Sequence, residues 1–336
     1  MDIKKLEKRL QEENYGIKYQ ELCLNYAGNL LNNGLPVIFD KRHLSLLMGI
    51  EENKLNYYML NTDKFYKKNY ILKSNGKKRE ILMPSFHLKE LQRWILDNIL
   101  YCYYIHPAAF GFVPNKSIKD NAILHINQSV VINFDLENFF PNIELKKIFR
   151  IFYNSGYTKE VSYCLAKLCS YNGFLPQGSP ASPFLANISC IQLDKRLEAL
   201  VHNLGFKYSR YADDITFSGN HNIKGLIPSI TNIIKEEDFK INLSKLRVQD
   251  NNPHKEITGL IVSDSVKVKK KYKVYLSKQI YYAKKFGVYS HLQRINAIER
   301  SYYKEHLYGM ANFIKMIEEE EGEKFLKELS EISWNY

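Results

Sequence analysis

The sequence has little that would suit metal–thiolate chemistry, secretion or a membrane. Its five cysteines, Cys23, Cys102, Cys164, Cys169 and Cys190, form no C-x-x-C pair and are odd in number, which argues against both a zinc site and a disulfide framework. The first residues, Met1-Asp2-Ile3-Lys4-Lys5-Leu6-Glu7-Lys8, are charged and lack the apolar core of a signal peptide. No uninterrupted apolar run approaches the ~18–20 residues that span a bilayer. A reducing, cytoplasmic setting fits these absences. Neither an internal repeat nor a low-complexity linker is found.

What is present is ordinary for a globular chain, with 45% hydrophobic and 25% charged residues, so large-scale disorder is not expected. A length of 336 residues suggests two or three domains. Lys and Arg number 48 against 36 acids, a formal charge of +12. That excess favours a polyanionic partner, because each neutralised phosphate releases condensed counterions; simple solubility is the competing explanation. Tyr (25) and Phe (18) are abundant and often lie beside Lys or Arg, as in Lys269-Lys270-Lys271-Tyr272-Lys273-Val274-Tyr275. Base-stacking surfaces need that mixture, although most of these rings belong to packing.

Residues 1–44 place Leu, Ile and Tyr at helical spacing and predict a helical N-terminal segment. Tyr70-Ile71-Leu72-Lys73 and Arg79-Glu80-Ile81-Leu82-Met83 flank Ser74-Asn75-Gly76, the pattern of a β-hairpin that Pro84 stops. Leu88 to Leu96 returns to a helical pattern. Val130-Val131-Ile132-Asn133-Phe134 reads as a buried strand, 144–170 and 184–204 as helical, and Tyr208 to Phe217 as two short strands around a polar tip. Val266 to Lys273 alternates apolar and basic residues like a strand with one phosphate-facing side, and charge-rich helical sequence follows. Strands followed by separate helices predict an α+β palm with appended helical parts rather than a doubly wound sheet. The expected division is 1–44, a helical segment; 45–262, the central region; and 263–336, the C-terminal part.

Asp135 follows the apolar strand 130–134, where an acid is costly unless neutralised. Asp213 and Asp214 are adjacent between apolar flanks and repel each other unless a cation binds. Setting the 208–217 hairpin beside 130–134 brings three carboxylates together. Such a cluster suits two Mg²⁺ ions about 3.5–4 Å apart, one activating an attacking hydroxyl and one stabilising the leaving oxygen; hard oxygen donors favour Mg²⁺ or Mn²⁺ over zinc. Any single Asp near a strand is more often a turn former or a cap, and a Tyr-x-Asp-Asp string alone is weak.

The ordered set carries more. Phe134-Asp135-Leu136-Glu137-Asn138-Phe139-Phe140, then Leu175-Pro176-Gln177-Gly178-Ser179-Pro180-Ala181-Ser182-Pro183, then Tyr211-Ala212-Asp213-Asp214 resemble motifs A, B and C of reverse transcriptases in order and spacing. Within that family the chain looks most like a bacterial retron enzyme. Asn121-Ala122-Ile123-Leu124-His125 fits an Asn-Ala-x-x-His signature just before motif A, and Ile257-Thr258-Gly259 stands where Val-Thr-Gly is usual, a conservative departure. The resemblance covers about 60 to 262 closely and extends weakly beyond. It implies a right-hand polymerase with fingers and palm over 45–262 and a helical, template–primer-binding thumb over 263–336. A chain of this length leaves no room for a maturase region or an endonuclease.

By this resemblance Asp135 and Asp213 bridge the metals, Asp214 completes the site and the Leu136 carbonyl adds a ligand. Phe140 matches the steric gate that excludes a ribose 2′-OH, with a core ring as its plain alternative; Phe139 reads as core. Gln177 lies beside the incoming nucleotide, in a string that on physical grounds is only a turn and helix start. Arg79 matches the fingers arginine, suited to bidentate phosphate contact; Lys73 and Lys78 read equally as a solvated turn. Lys245 resembles the lysine that protonates departing pyrophosphate, or is a surface lysine. Asn121 and His125 are associated in the family with the enzyme's own RNA, while a lone histidine on an apolar stretch is more often a packing residue. Lys269, Lys270 and Lys271 are candidate RNA contacts, and the acidic run Glu318 to Glu321 is expected to point away from nucleic acid.

The expected activity is dNTP addition on an RNA template with Mg²⁺. The retron resemblance adds a cognate structured non-coding RNA, priming from an internal 2′-OH to give branched RNA–DNA, and a role in antiphage defence beside a separate effector protein. The alternatives are another bacterial reverse transcriptase (abortive-infection, diversity-generating or CRISPR-associated) and a non-catalytic RNA-binding scaffold.

Overall fold

The helical spacing of the N-terminal residues is realised as three helices, Ile3–Glu12, Ile17–Asn32 and Lys41–Leu47, in a computed structural model that describes residues 2–72, 76, 78–219, 223–250, 254–296 and 302–334. Asp40 caps the third helix by accepting from the His43 amide at 2.7 Å, which satisfies one of the donors a helix start leaves orphaned. These helices do not stand apart. Ala27, Leu30, Ile38 and Leu44 join Leu55, Leu88 and Ile95 in the same core as the central strands.

The expected hairpin forms from β1 (Tyr66–Leu72) and β2 (Lys78–Pro84), antiparallel with Tyr66 opposite Pro84 and Leu72 opposite Lys78. Lys73 lies outside the described residues; Lys78 opens β2. The hairpin is mostly exposed but is tied to the centre where the Leu82 amide donates to the Gln177 carbonyl at 2.8 Å.

The apolar run at 130 becomes β3, which continues through Asp135 to Glu137 instead of ending at Phe134. Val131, Ile132, Phe134 and Leu136 are all buried, as expected of a strand covered on both faces. On one side lies β5 (Asp214–Gly219), itself paired to β4 (Lys207–Tyr211); on the other lie the short β6 (Lys240–Ile241) and β7 (Arg247–Gln249). Every pairing in this five-stranded sheet is antiparallel. The region 144–170 divides into Leu145–Asn154 and Lys159–Leu168, because Thr158 caps the second helix through the Val161 amide. The region 184–204 likewise divides, into Ser182–Ser189 and Ile191–His202.

A second core begins at β8 (Lys255–Ile257), β9 (Leu260–Val262) and β10 (Val266–Lys267), a three-stranded antiparallel sheet. Four helices follow among the described residues: Lys270–Phe286, Val288–Arg294, Tyr303–Ile317 and Glu319–Ser330. Leu276, Ile280, Leu307, Ile314 and Leu329 fill this core, and Ala122 and Val131 join it to the palm-like sheet. The strand expected over Val266 to Lys273 is corrected here, since only Val266–Lys267 is extended and Lys270 already opens a helix. Glu318, the first of the acidic run, accepts from the Val268 amide at 2.7 Å and pairs with Lys273 at 2.9 Å, fastening one helix junction to another. No described helix is long and apolar enough to cross a membrane. All five cysteines are free thiols.

Gly178 shows how tightly the hairpin is seated. Its φ of +134° is a conformation that side chains rarely adopt, and a Cβ there would stand 2.3 Å from the Leu82 carbonyl oxygen. Gly178→Ala is therefore expected to lower unfolding free energy by about 1–3 kcal/mol in urea titrations. Gly225→Ala, where a Cβ meets nothing within 4 Å, should stay within about 1 kcal/mol of the parent. Equal behaviour of the two variants is the result that contradicts this.

Candidate active site

The ladder between β3 and β5 sets Asp135 directly opposite Asp214, and the Leu136 amide donates to the Asp213 carbonyl at 2.9 Å. Asp135 and Asp214, far apart in sequence, thus meet because Val130 to Phe134 and Ile215 to Gly219 bury matching faces. Asp213 sits in the two-residue link between β4 and β5, a tight hairpin tip. The residue before it, Ala212, has a φ of +57°, a left-handed conformation that costs an alanine roughly 1–2 kcal/mol.

That strained tip is held from behind. Arg210 and Asp194 are both fully buried, at 0% exposure of their side chains, and face each other as a two-pronged ion pair. Arg210 Nε and Nη2 each donate to Asp194 at 2.7 Å, while Nη1 donates to Asn187 Oδ1 at 2.9 Å and to the Ala212 carbonyl at 3.2 Å. Tyr208 donates its hydroxyl to Asp194 at 2.6 Å, and Asn187 donates to the Gly111 carbonyl at 2.8 Å. Burial works against the Arg210 charge, but Asp194 outweighs it and raises the arginine pKa, so the guanidinium stays charged. Gly111 is needed for the fit: a Cβ there would stand 2.7 Å from the Ala212 nitrogen.

In front of the tip is a cleft of about 510 Å³ whose walls include Arg79, Asp135, Asp213, Asp214, Lys245 and Arg247. Desolvation pushes the Asp213 carboxyl up, with the Asp135 charge adding to it. Asp214 is pushed up to about 6, first by desolvation of the cleft wall and then by Asp213 and Asp135. Lys245 Nζ donates to Asp135 Oδ2 at 2.7 Å. Its ammonium lies where excess negative charge is greatest.

The donor set fits a divalent cation: hard carboxylate oxygens, two of them with pKa values raised first by desolvation and then by the neighbouring carboxylates. As the side chains stand, however, no three His, Cys, Asp or Glu among the described residues are gathered closely enough to hold one ion. The backbone convergence expected from sequence is present; a closed ligand set is not, and Lys245 takes part of the position a cation would neutralise. A carboxylate turned away from a bound ammonium needs only a change of side-chain rotamer to face an ion.

The remaining expected residues fall in distinct places. Phe139 is buried in the core, whereas Phe140 is half-buried, 6.4 Å from Phe112, whose ring in turn stands 6.5 Å from Tyr211 at the cleft. Gln177 is half-buried and bonded through its carbonyl to the β1–β2 hairpin, outside the cleft wall. His125 is buried with both ring nitrogens 2.7 Å from serine hydroxyls, Ser218 and Ser209, and desolvation, helped by Lys207, lowers its pKa to about 3. Asn121 is also buried, donating to Thr258 Oγ1 at 3.5 Å. In this conformation neither side chain presents a surface to RNA. Lys269 pairs with Glu256 at 2.6 Å, and Lys270 and Lys271 open the helix that follows.

Sequence reading missed the Arg210–Asp194–Asn187 support. Its one available signal was an arginine inside an expected strand, flanked by Tyr208 and Tyr211. It also missed Asn133, which donates to Thr216 Oγ1 at 3.1 Å and accepts from Gln249 at 2.7 Å on the cleft floor. Polar residues inside a strand carry no mark of which cross-strand partner they meet.

Among known proteins, residues 67–282 match the family described as reverse transcriptase (RNA-dependent DNA polymerase). The retron Ec86 reverse transcriptase of Escherichia coli is 36% identical over 239 residues, 70% of this chain and 74% of that one. The retron Mx162 reverse transcriptase of Myxococcus xanthus is 30% identical over 334 residues, 89% of this chain and 68% of that one. The retron Se72 reverse transcriptase of Salmonella heidelberg is 30% identical over 272 residues, 76% and 70% of the two chains.

Removing one partner of a buried ion pair strands the other, at a cost of about 3–5 kcal/mol. Arg210→Met is expected to destabilise by that amount in chemical denaturation. The double variant Arg210→Met, Asp194→Leu should cost clearly less than the two single changes summed; simple additivity in that cycle rules out the coupling.

Proposed function

Because this chain belongs to the reverse transcriptase family, and within it to the retron reverse transcriptases, we propose that its RNA-directed DNA synthesis is carried out at the cleft between β3 and β5, by Asp135, Asp213 and Asp214. The observation that carries this reading is the strand register that places Asp135 opposite Asp214, on a cleft also walled by Arg79 and Lys245. Reverse transcriptases work with divalent metal ions. When bound, a pair of Mg²⁺ ions, for which Mn²⁺ can substitute, activates the attacking hydroxyl and stabilises the leaving oxygen. Asp135 and Asp213 would hold the ions, with Asp214 and the Leu136 carbonyl as the further ligands.

The other residues bind and orient. Arg79, on the exposed hairpin and facing the cleft, grips the triphosphate of the incoming dNTP with its planar fork. Lys73 and Lys78 flank the same hairpin. Gln177 positions the nucleotide from the loop that β2 fastens. Phe140 restricts the sugar's 2′ side, acting through the ring contact with Phe112. Lys245, released from Asp135, delivers a proton to the departing pyrophosphate. The unit from 263 to 336 serves as the thumb, with residues 45–262 as fingers and palm and 1–44 as a helical buttress. Lys269, Lys270 and Lys271 meet nucleic acid where β10 passes into the first thumb helix.

An RNA template is the polymerase's partner. The finer reading is a cognate structured RNA that primes from an internal 2′-OH, yielding branched RNA–DNA. This takes place in the cytoplasm, in an antiphage system with a separate effector protein. Asn121 and His125 support RNA recognition from within, through the Thr258 turn and the β4–β5 serines.

Purified with its neighbouring RNA and supplied with dNTPs and Mg²⁺, the wild type is expected to make DNA that stays attached to RNA through denaturation. Asp213→Asn should make none while retaining RNA binding. DNA synthesis by Asp213→Asn at the parent rate places the chemistry elsewhere, and a wild type that binds RNA without incorporating dNTPs leaves the scaffold reading instead.

The raised pKa of Asp214 sets a pH dependence. Above about 6 the carboxylate is ionised and free to hold a cation; below it a proton competes. The Mg²⁺ concentration for half-maximal synthesis should then be flat above that pH and rise by up to roughly tenfold per pH unit below it. A metal requirement independent of pH from 5 to 8 contradicts this.

A further inference from the structure

A second cavity, about 890 Å³, lies in the C-terminal unit and is larger than the carboxylate cleft. It falls within the roughly 300–1,000 Å³ of small-ligand sites. Its lining includes the rings of Tyr272, Tyr275, Tyr302 and Phe313, together with Lys271 and His306. Tyr272 and Phe313 meet edge-on at 5.5 Å and form a fixed wall. Tyr275 and Tyr302 are different: they are 40% and 77% exposed, so their apolar rings are offered to whatever enters rather than spent on packing.

The cavity adjoins the carboxylate cleft. Gly259, in the turn between β8 and β9, lines both. A Cβ added at Gly259 would meet nothing within 4 Å, so the turn is a bare ledge across which a strand can lie. Lys269 stands on the same path, paired with Glu256, which itself lines the cleft. Planar faces beside cations, reached over an uncovered ledge from the polymerase site, suit a nucleobase with its phosphate. Paired bases are already stacked and cannot enter. DNA product emerges paired to its template, so the unpaired nucleotides beside the site belong to the RNA.

We propose that this cavity binds one unpaired nucleotide of the RNA, its base stacked on Tyr275 and Tyr302 and its phosphate directed to Lys271. This rests on the assignment of the neighbouring cleft as the polymerase site. It adds a recognition element for unpaired RNA that sits apart from the chemistry and needs no particular base sequence, since every base has a stacking face.

The test is binding by the full-length protein to a hairpin RNA carrying one bulged 2-aminopurine riboside, to the same hairpin fully paired, and to the bulged hairpin made of DNA. Wild type should prefer the bulged RNA by about tenfold, the scale of a single base–aromatic stack, and should quench the 2-aminopurine fluorescence. Tyr275→Ala and Tyr302→Ala should each reduce that preference and the quenching, while Tyr275→Phe and Tyr302→Phe keep both; thermal melts establish that all four remain folded. Loss of affinity equal for bulged and paired RNA, or a preference unchanged in both alanine variants, overturns the proposal. Bulged DNA bound as tightly as bulged RNA overturns the assignment to RNA. In the same preparations, dNTP incorporation by the wild type on a bulge-free primer recessed on a longer RNA template tests the cleft separately: activity without bulge preference defeats only the cavity proposal, and preference without activity defeats only the cleft assignment.

Discussion

The antiparallel ladder between β3 and β5 is the constraint on which the remaining features rest. Side chains alternate along a strand, so a slip of one residue would turn every inward group outward. Here the register is pinned by what it buries. Phe134 faces Ile215, Ile132 faces Phe217, and the two phenylalanine rings of Phe134 and Phe217 meet edge-on at 5.8 Å. Apolar packing therefore selects the alignment, and the same alignment forces Asp135 and Asp214 into proximity they would not choose electrostatically. The core holds the acids together; the acids contribute nothing to the core.

The opposition between packing and charge explains why so much of the surrounding structure is braced. Ala212 adopts an unfavourable backbone angle, Gly111 and Gly178 exist where no side chain fits, and a fully buried ion pair lies directly beneath the hairpin tip. Each is expensive when considered alone. Together they remove freedom from the one segment whose carboxylates must be aimed. The β1–β2 hairpin is tied in by the Leu82–Gln177 backbone bond and, at its base, by Tyr66, whose hydroxyl accepts from Gln92 at 2.7 Å and whose ring meets Tyr171 edge-on at 5.1 Å.

Sequence alone disclosed the parts of this arrangement that have a period or an order. The hairpin at 66–84, the strand at 130 and the short strands around Asp213 follow from alternation, and three motifs in sequence order identified the family. Other elements were hidden for physical reasons. Val266 to Lys273 read as a strand of alternating apolar and basic residues, yet the 17-residue helix from Lys270 to Phe286 prevails over its second half because Leu276, Ile280 and Ala283 are needed on one face by the second core. Arg210 and Asp194 gave no signal because a buried ion pair is defined by two elements meeting, and neither residue's neighbours record its partner. The convergence of Asp135 on Asp213 and Asp214 was legible, whereas the occupation of Asp135 by Lys245 was not, since only the fold says which lysine arrives.

The Lys245–Asp135 contact has a further consequence. A cation fixed to the chain by a short turn, Leu243–Lys245, is a competitor whose local concentration does not fall on dilution. On the proposed metal site, an ion entering beside Asp135 would contend with this resident charge rather than with mobile salt, so loading would be an exchange instead of a simple filling. Lys245 would then be an electrostatic placeholder, yielding only to a charge denser than its own.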